Sequence, residues 1–217
     1  MTTHRIEVPG SYVCDYQIRS SENPSRLVLL LHGYTLAGPW MLSKCGPALP
    51  PELEKNSVIL APNAPFPIPE KTKDGYKVGF SWYFYDPAID DYFIDMKVAC
   101  RFLIEMIRKL GFENLPVTII GFSQGGYLAP FVAQEVPKVD HIIGIACQFL
   151  NEELELNAQI RMDQIHGAND DTVDPLRARK SHDALTKSGI KGEFYLLPGV
   201  GHRFSHEVQT RLTSLLS

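Results

Sequence analysis

The sequence predicts an α/β fold: a mostly parallel central sheet with helices on both faces. Three observations predict it. Strand-like and helix-like stretches alternate along the chain. Several strand-like stretches (26–31, 57–61, 117–120) are aliphatic runs with little polar alternation, as strands buried on both faces require. Polar turns containing Gly, His, Ser or Asp follow these runs directly, where open α/β sheets gather their functional residues.

A length of 217 residues fits one domain, 1–217, and 44% hydrophobic with 21% charged residues is enough to bury a full core. The net charge is −4 and no Lys/Arg block is present, which argues against nucleic acid as a partner. Residues 1–11 lack an apolar signal region, and no run approaches membrane-spanning length. Cys14, Cys45, Cys100 and Cys147 are scattered without metal-ligand spacing. Reduced thiols and a cytoplasmic location are the expectation.

From the start of the chain, 5–8 and 12–18 read as strands joined by the Pro9-Gly10-Ser11 turn, a hairpin. Residues 20–25 are a polar loop, and 26–31 is a buried strand ending in His32-Gly33-Tyr34-Thr35. A short helix ends near Cys45 or Gly46 and gives way to irregular chain through Pro47, Pro50 and Pro51. The strand 57–61 follows. Residues 62–86 are rich in Pro and aromatics and read as a long loop, whose aromatics either line an apolar substrate groove or pack the loop down; Trp82 is the groove candidate. Asp86-Pro87 reads as the start of a helix running to Leu110, with Tyr92, Met96, Ala99, Leu103 and Met106 on one face and Gly111 as its stop.

Residues 117–120 run straight into Gly121-Phe122-Ser123-Gln124-Gly125-Gly126. This is the form of a nucleophile elbow, a sharp strand-to-helix turn that pushes a serine hydroxyl out at the top of a sheet. The glycines fit positions where a Cβ would collide with neighbouring backbone. Gln124 opens a helix whose free N–H groups can face a developing oxyanion. That helix contains Pro130, so a kink or a restart is expected. Later strands at 141–146, 160–165 and 194–197 alternate with helices at 175–188 and 205–216.

Three constellations thus fall at strand ends: Ser123, then Asp170 or Asp171 after His166-Gly167, then His202 after Gly201. The order Ser…Asp…His is that of an α/β-hydrolase. The residue types follow from the chemistry. A serine hydroxyl needs a base, histidine can take and return a proton near neutral pH, and a carboxylate fixes the imidazole's tautomer. His32-Gly33 sits where such enzymes place their second oxyanion donor, here the backbone N–H of Tyr34, alongside that of Gln124. His32 and His166 read as loop-holding residues. A metal site from His166, Asp170 and His202 has no recognised ligand spacing behind it.

Five motifs carry a resemblance: Leu31-His32-Gly33; Ala64-Pro65 with Ser81-Trp82-Tyr83; Gly121 to Gly126; His166-Gly167 with Asp170 and Val173; and Gly201-His202. On these, the chain resembles the phospholipase/carboxylesterase family of small α/β-hydrolases, which includes acyl-protein thioesterases and lysophospholipases. The resemblance implies a cap-less single domain that hydrolyses carboxylic esters or thioesters without cofactor or metal. It implies Ser123 as nucleophile, His202 as base, Asp170 as its orienter, and the amides of Tyr34 and Gln124 as oxyanion hole. The implied partner is a small-molecule or lipid-like acyl ester, or an acylated protein. The chain departs from the family pattern at Tyr34-Thr35 (usually Leu-Gly), at Cys147-Gln148 (usually small residues) and at Asp174 (often Pro). Two other classes stay open, a peptidase or amidase of the same fold and a non-catalytic hydrolase-fold binding protein.

Overall fold

The computed structural model describes residues 10–155, 157 and 159–217. Seven strands form one sheet in the order β1-β3-β2-β8-β9-β10-β11: Tyr16–Ser20, Ser57–Pro62, Arg26–Leu31, Val117–Phe122, Val139–Ile145, Arg161–Gly167 and Phe194–Leu197. All neighbours are parallel except β1, which pairs antiparallel with β3 at the edge. The strand expected at 5–8 lies outside the described residues.

The aliphatic runs are strands because each has two apolar faces to bury. In β2, Leu27, Leu29 and Leu31 join one core cluster while Val28 and Leu30 join the other. In β8, Val117 and Ile119 face the first and Ile120 and Phe122 the second. This is the period-2 alternation of a strand applied to a two-sided core. The first cluster is closed by α3 (Met96–Lys109), α4 (Gln124–Glu135) and Leu185 of α5 (Pro175–Lys187). The second is closed by α1 (Gly38–Cys45) and α6 (His206–Leu216).

The structure corrects three readings and decides against a restart in a fourth element. The segment after Pro62 is not a loop. It folds into a hairpin, β4 (Phe66–Thr72) with β5 (Gly75–Ser81), and its tip carries Asp74-Gly75 with Gly75 at φ 129°. Pro67 and Pro69 are two apart, so both nitrogens point away from β5, and prolines at an edge cost no ladder bond. A second short pair, β6 (Phe84–Asp86) with β7 (Asp91–Ile94), takes the place of the expected first helical turns. Asp86 accepts from Ala88 N–H in a turn (2.9 Å), and the true N-cap is Asp95, which accepts from Lys97 N–H (2.7 Å). Both aspartates use the same side-chain-to-backbone chemistry, which is why sequence alone confuses them. Residues 51–55, expected to be irregular, form the short helix α2 (Pro51–Lys55), with proline at its first turn where no donor is lost. Finally, α4 runs through Pro130 as one element rather than restarting.

The chain passes from β2 to β3 on one side, then returns to β8 and proceeds through β9, β10 and β11 on the other. The order therefore reverses between β2 and β8, the place where open α/β sheets bind ligands beyond their carboxyl ends.

Candidate active site

The segment after β2 and the turn after β8 flank that switch point. Ser123 links β8 to α4 with φ 48° and ψ −117°, a strained conformation for a residue with a side chain. The turn is tight enough to exclude Cβ atoms on both sides of it. A Cβ on Gly121 would lie 2.3 Å from the Gly125 carbonyl oxygen, and one on Gly125 would lie 2.3 Å from that of Leu31. The serine's N–H is tied to Ile145 O (2.8 Å), and its carbonyl accepts from Gly126 and Tyr127.

His202 lies in the loop after β11, and its Nε2 is 3.0 Å from Ser123 Oγ. Its Nδ1 donates to Asp170 Oδ2 at 2.8 Å, which leaves Nε2 as acceptor for the serine hydroxyl. Phe122 packs beside the imidazole with ring centroids 5.5 Å apart. The Asp170 side chain is fully buried after β10. Its Oδ1 accepts from Thr172 N–H (3.0 Å) and Val173 N–H (2.8 Å), so the loop's own backbone aims the carboxylate. His166 Nε2 donates to Val173 O (3.0 Å) and lies 3.4 Å from Asp170 Oδ2. Burial holds this second imidazole below its usual pKa. Asp171 is exposed, and Asp174 caps α5 by accepting from Leu176 N–H (2.8 Å). Of the acids expected near the turn, Asp170 reaches the histidine.

Tyr34 and Gln124 are the two expected oxyanion donors. Among the described residues, neither backbone N–H has a protein acceptor, while the neighbouring N–H groups of Thr35 and Gly126 are bonded. His32 holds the turn, as the sequence suggested. Nδ1 donates to Gly33 O (2.7 Å) and Nε2 accepts from Ala64 N–H (3.0 Å), which fixes one neutral tautomer. Burial pushes its pKa down to about 4.

Trp82 does not line a groove. Its ring has no exposed surface; it packs on His32 (centroids 4.9 Å apart) and donates its indole N–H to His32 O at 2.8 Å. A buried indole needs an acceptor for its N–H, and here the His32 carbonyl supplies it. The cavity over Ser123 and His202, about 510 Å³, is walled instead by Leu36, Trp40, Phe122 and Phe204. Trp40 packs tilted against Phe122 (ring centroids 5.3 Å apart) and edge-on against Phe204 (6.2 Å). The sequence reading missed these residues. Phe122 was visible beside the serine, but Trp40 and Phe204 are brought in by α1 and by the loop after His202. A larger cavity of about 1100 Å³, with Tyr12, Phe66 and Phe102 in its wall, shares no lining residue with it.

Among the described residues no helix is long and apolar enough to cross a membrane. The chain is 31% identical to "Acyl-protein thioesterase 1 homolog 1" of Dictyostelium discoideum over 181 residues, 73% of this chain and 75% of that one. It superposes on SOBER1 of Arabidopsis thaliana with a TM-score of 0.68 at 25% identity, covering 88% of this chain and 97% of the other. Acyl-protein thioesterase 2 of Zea mays shares the fold, with a TM-score of 0.64 at 19% identity over 94% and 99% of the two chains. The model of the phospholipase/carboxylesterase family matches residues 15–216. Nearly the whole chain is thereby accounted for, and it belongs to the phospholipase/carboxylesterase family of esterase-type hydrolases.

Proposed function

We propose that the protein hydrolyses acyl esters and thioesters through an acyl-enzyme on Ser123. The observation that carries the reading is the chain of two hydrogen bonds from Asp170 through His202 to Ser123. His202 Nε2 takes the hydroxyl proton as Oγ attacks the acyl carbon. The carbonyl oxygen becomes an oxyanion, received by the backbone N–H groups of Tyr34 and Gln124. Asp170 steadies the imidazolium. His202 then gives its proton to the departing alcohol or thiol, leaving the acyl group on Ser123. Water enters with His202 again as base, and the acid and free serine are released. No cofactor enters these steps.

The cavity's volume suits a small ligand, and its Trp40, Phe122 and Phe204 wall suits an apolar acyl chain. Thioesters are included because the Dictyostelium relative's name is that of an acyl-protein thioesterase. The test is Ser123→Ala, assayed on p-nitrophenyl esters and with a fluorophosphonate probe. Loss of nearly all turnover and of labelling in a folded variant is expected; near-wild-type turnover would end the assignment.

A further inference from the structure

Resting on the hydrolase reading above, we propose that the segment 79–83 is a clamp that sets the distance between the two oxyanion donors, with the side chains of Gln124 and Trp82 as its positioning residues. The donors belong to separate elements, Tyr34 to the turn after β2 and Gln124 to the start of α4. The β2–β8 pairing ends at Leu31 and Gly121, before either donor, and such a site must be held to within about 0.5 Å. The segment 79–83 bonds to both elements.

On the Tyr34 side the contacts are backbone. Thr35 N–H donates to Phe80 O (3.0 Å), and Phe80 N–H donates to Leu36 O (3.1 Å). The approach is so close that a Cβ on Gly79 would sit 2.2 Å from Thr35 O. On the Gln124 side the contact is the buried amide. Its Oε1 accepts from Trp82 N–H (3.0 Å), and its Nε2 donates to Tyr83 O (2.9 Å) and Ser81 Oγ (2.9 Å). The two backbone partners fix which end of the amide is oxygen. Ser81 Oγ also donates to Tyr83 O (2.6 Å), and the Trp82 indole reaches back to His32 O, two residues before Tyr34. Every polar atom of the Gln124 amide is thus used to tie the helix start to the segment that is itself bonded to the turn carrying Tyr34.

A glutamine with an exposed side chain would supply the same backbone N–H. The side chain is buried and fully bonded, which points to a second task for this residue. Donors preplaced for charge that develops only in the transition state act on kcat, and an error of about 1 Å can cost on the order of 100-fold.

The experiment compares wild type, Gln124→Met, Trp82→Phe and Ser81→Ala. It measures kcat and KM on p-nitrophenyl butyrate, Tm, and inhibition by a trifluoromethyl ketone, which forms a tetrahedral adduct, and by butyrate, which does not. Gln124→Met keeps the backbone donor and the side chain's length. It is expected to lower kcat about 30-fold with KM within about 2-fold, and to weaken the ketone by the same factor as kcat/KM while leaving butyrate unchanged. Trp82→Phe and Ser81→Ala are expected to follow the same pattern at about 3- to 10-fold. A purely structural role would lower Tm without this split. Folded variants with kcat within 2-fold of wild type, or with ketone affinity unchanged, overturn the clamp; if Gln124→Met does not fold, Ser81→Ala decides alone. A wild type that neither turns over ester nor takes the fluorophosphonate overturns the hydrolase reading itself and the clamp with it.

Discussion

Lowering the pH from 7 to 5 is expected to destabilise the fold by way of His32. This imidazole is fully buried, with Nε2 accepting from Ala64 N–H and Nδ1 donating to Gly33 O. A proton on Nε2 would face another donor, and the charge would have no water. Burial accordingly lowers the pKa from 6.5 to about 4. Between those values the unfolded chain binds a proton that the folded chain refuses, so stability is whole above about 6.5 and is lost as pH falls toward 4. With these two pKa values, the linkage relation gives a loss of roughly 2 kcal/mol between pH 7 and pH 5 from this one group. His166 and His182 are also held neutral by burial and add losses of the same sign. The perturbation is His32→Gln, which cannot titrate. The assay is urea unfolding at pH 7 and pH 5 for both proteins. The variant will be less stable at both pH values, but its loss on acidification should be smaller than wild type's by about 2 kcal/mol. An equal loss in the two proteins would refute the account of His32 as a buried neutral group.

Two further substitution sets separate roles that the sequence leaves side by side. Asp170→Asn should lower kcat by about three to four orders of magnitude with little change in Tm, Asp174→Ala should instead cost about 0.5–2 kcal/mol of stability as a lost helix cap, and Asp171→Asn should alter neither; a large kcat loss in Asp171→Asn would move the acid by one residue. Trp40→Ala should change the ratio of rates on short and long acyl p-nitrophenyl esters by opening the cavity wall, and an unchanged ratio would remove Trp40 from the acyl site.

The parts legible in the sequence were those set by local rules. Gly121, Ser123 and Gly125 declare the elbow because a turn that tight excludes Cβ atoms. The two-sided aliphatic runs declare central strands, and β2, β3 and β8 stand within two residues of their expected bounds. What was not legible depends on partners distant in the chain. The hairpin at 66–81 contains prolines that look like loop signals until the open edge of β4 is known. The helix start at Asp95 competes with an identical signal at Asp86, and only the β6–β7 pairing decides between them. Trp82 looked like a groove residue by aromatic density, but its indole N–H answers to a carbonyl fifty residues earlier.

The departures from the family pattern each meet a local contact that accommodates them. Thr35 stands where glycine is usual and holds φ 60°, a left-handed conformation that costs a β-branched residue about 1–2 kcal/mol. Such strain persists where surrounding contacts over-determine the backbone. Thr35 has them: its N–H is bonded to Phe80 O, its hydroxyl to Tyr34 O, and its carbonyl lies against Gly79. The close approach of the Thr35 carbonyl is met by glycine at 79, where a Cβ would lie 2.2 Å from Thr35 O. Cys147 meets a glycine on the other side of the elbow. Its thiol is buried where a Cβ on Gly126 would come within 2.6 Å of it, so a larger residue at 147 is accommodated by the absence of a side chain at 126. At 174 an aspartate replaces the frequent proline and caps α5 with its carboxylate, while Pro175 supplies the fixed φ of the first helical turn. In each case a local contact accommodates the unusual residue, because the proposed reaction constrains where the N–H groups and the carboxylate lie and leaves open which neighbours hold them there.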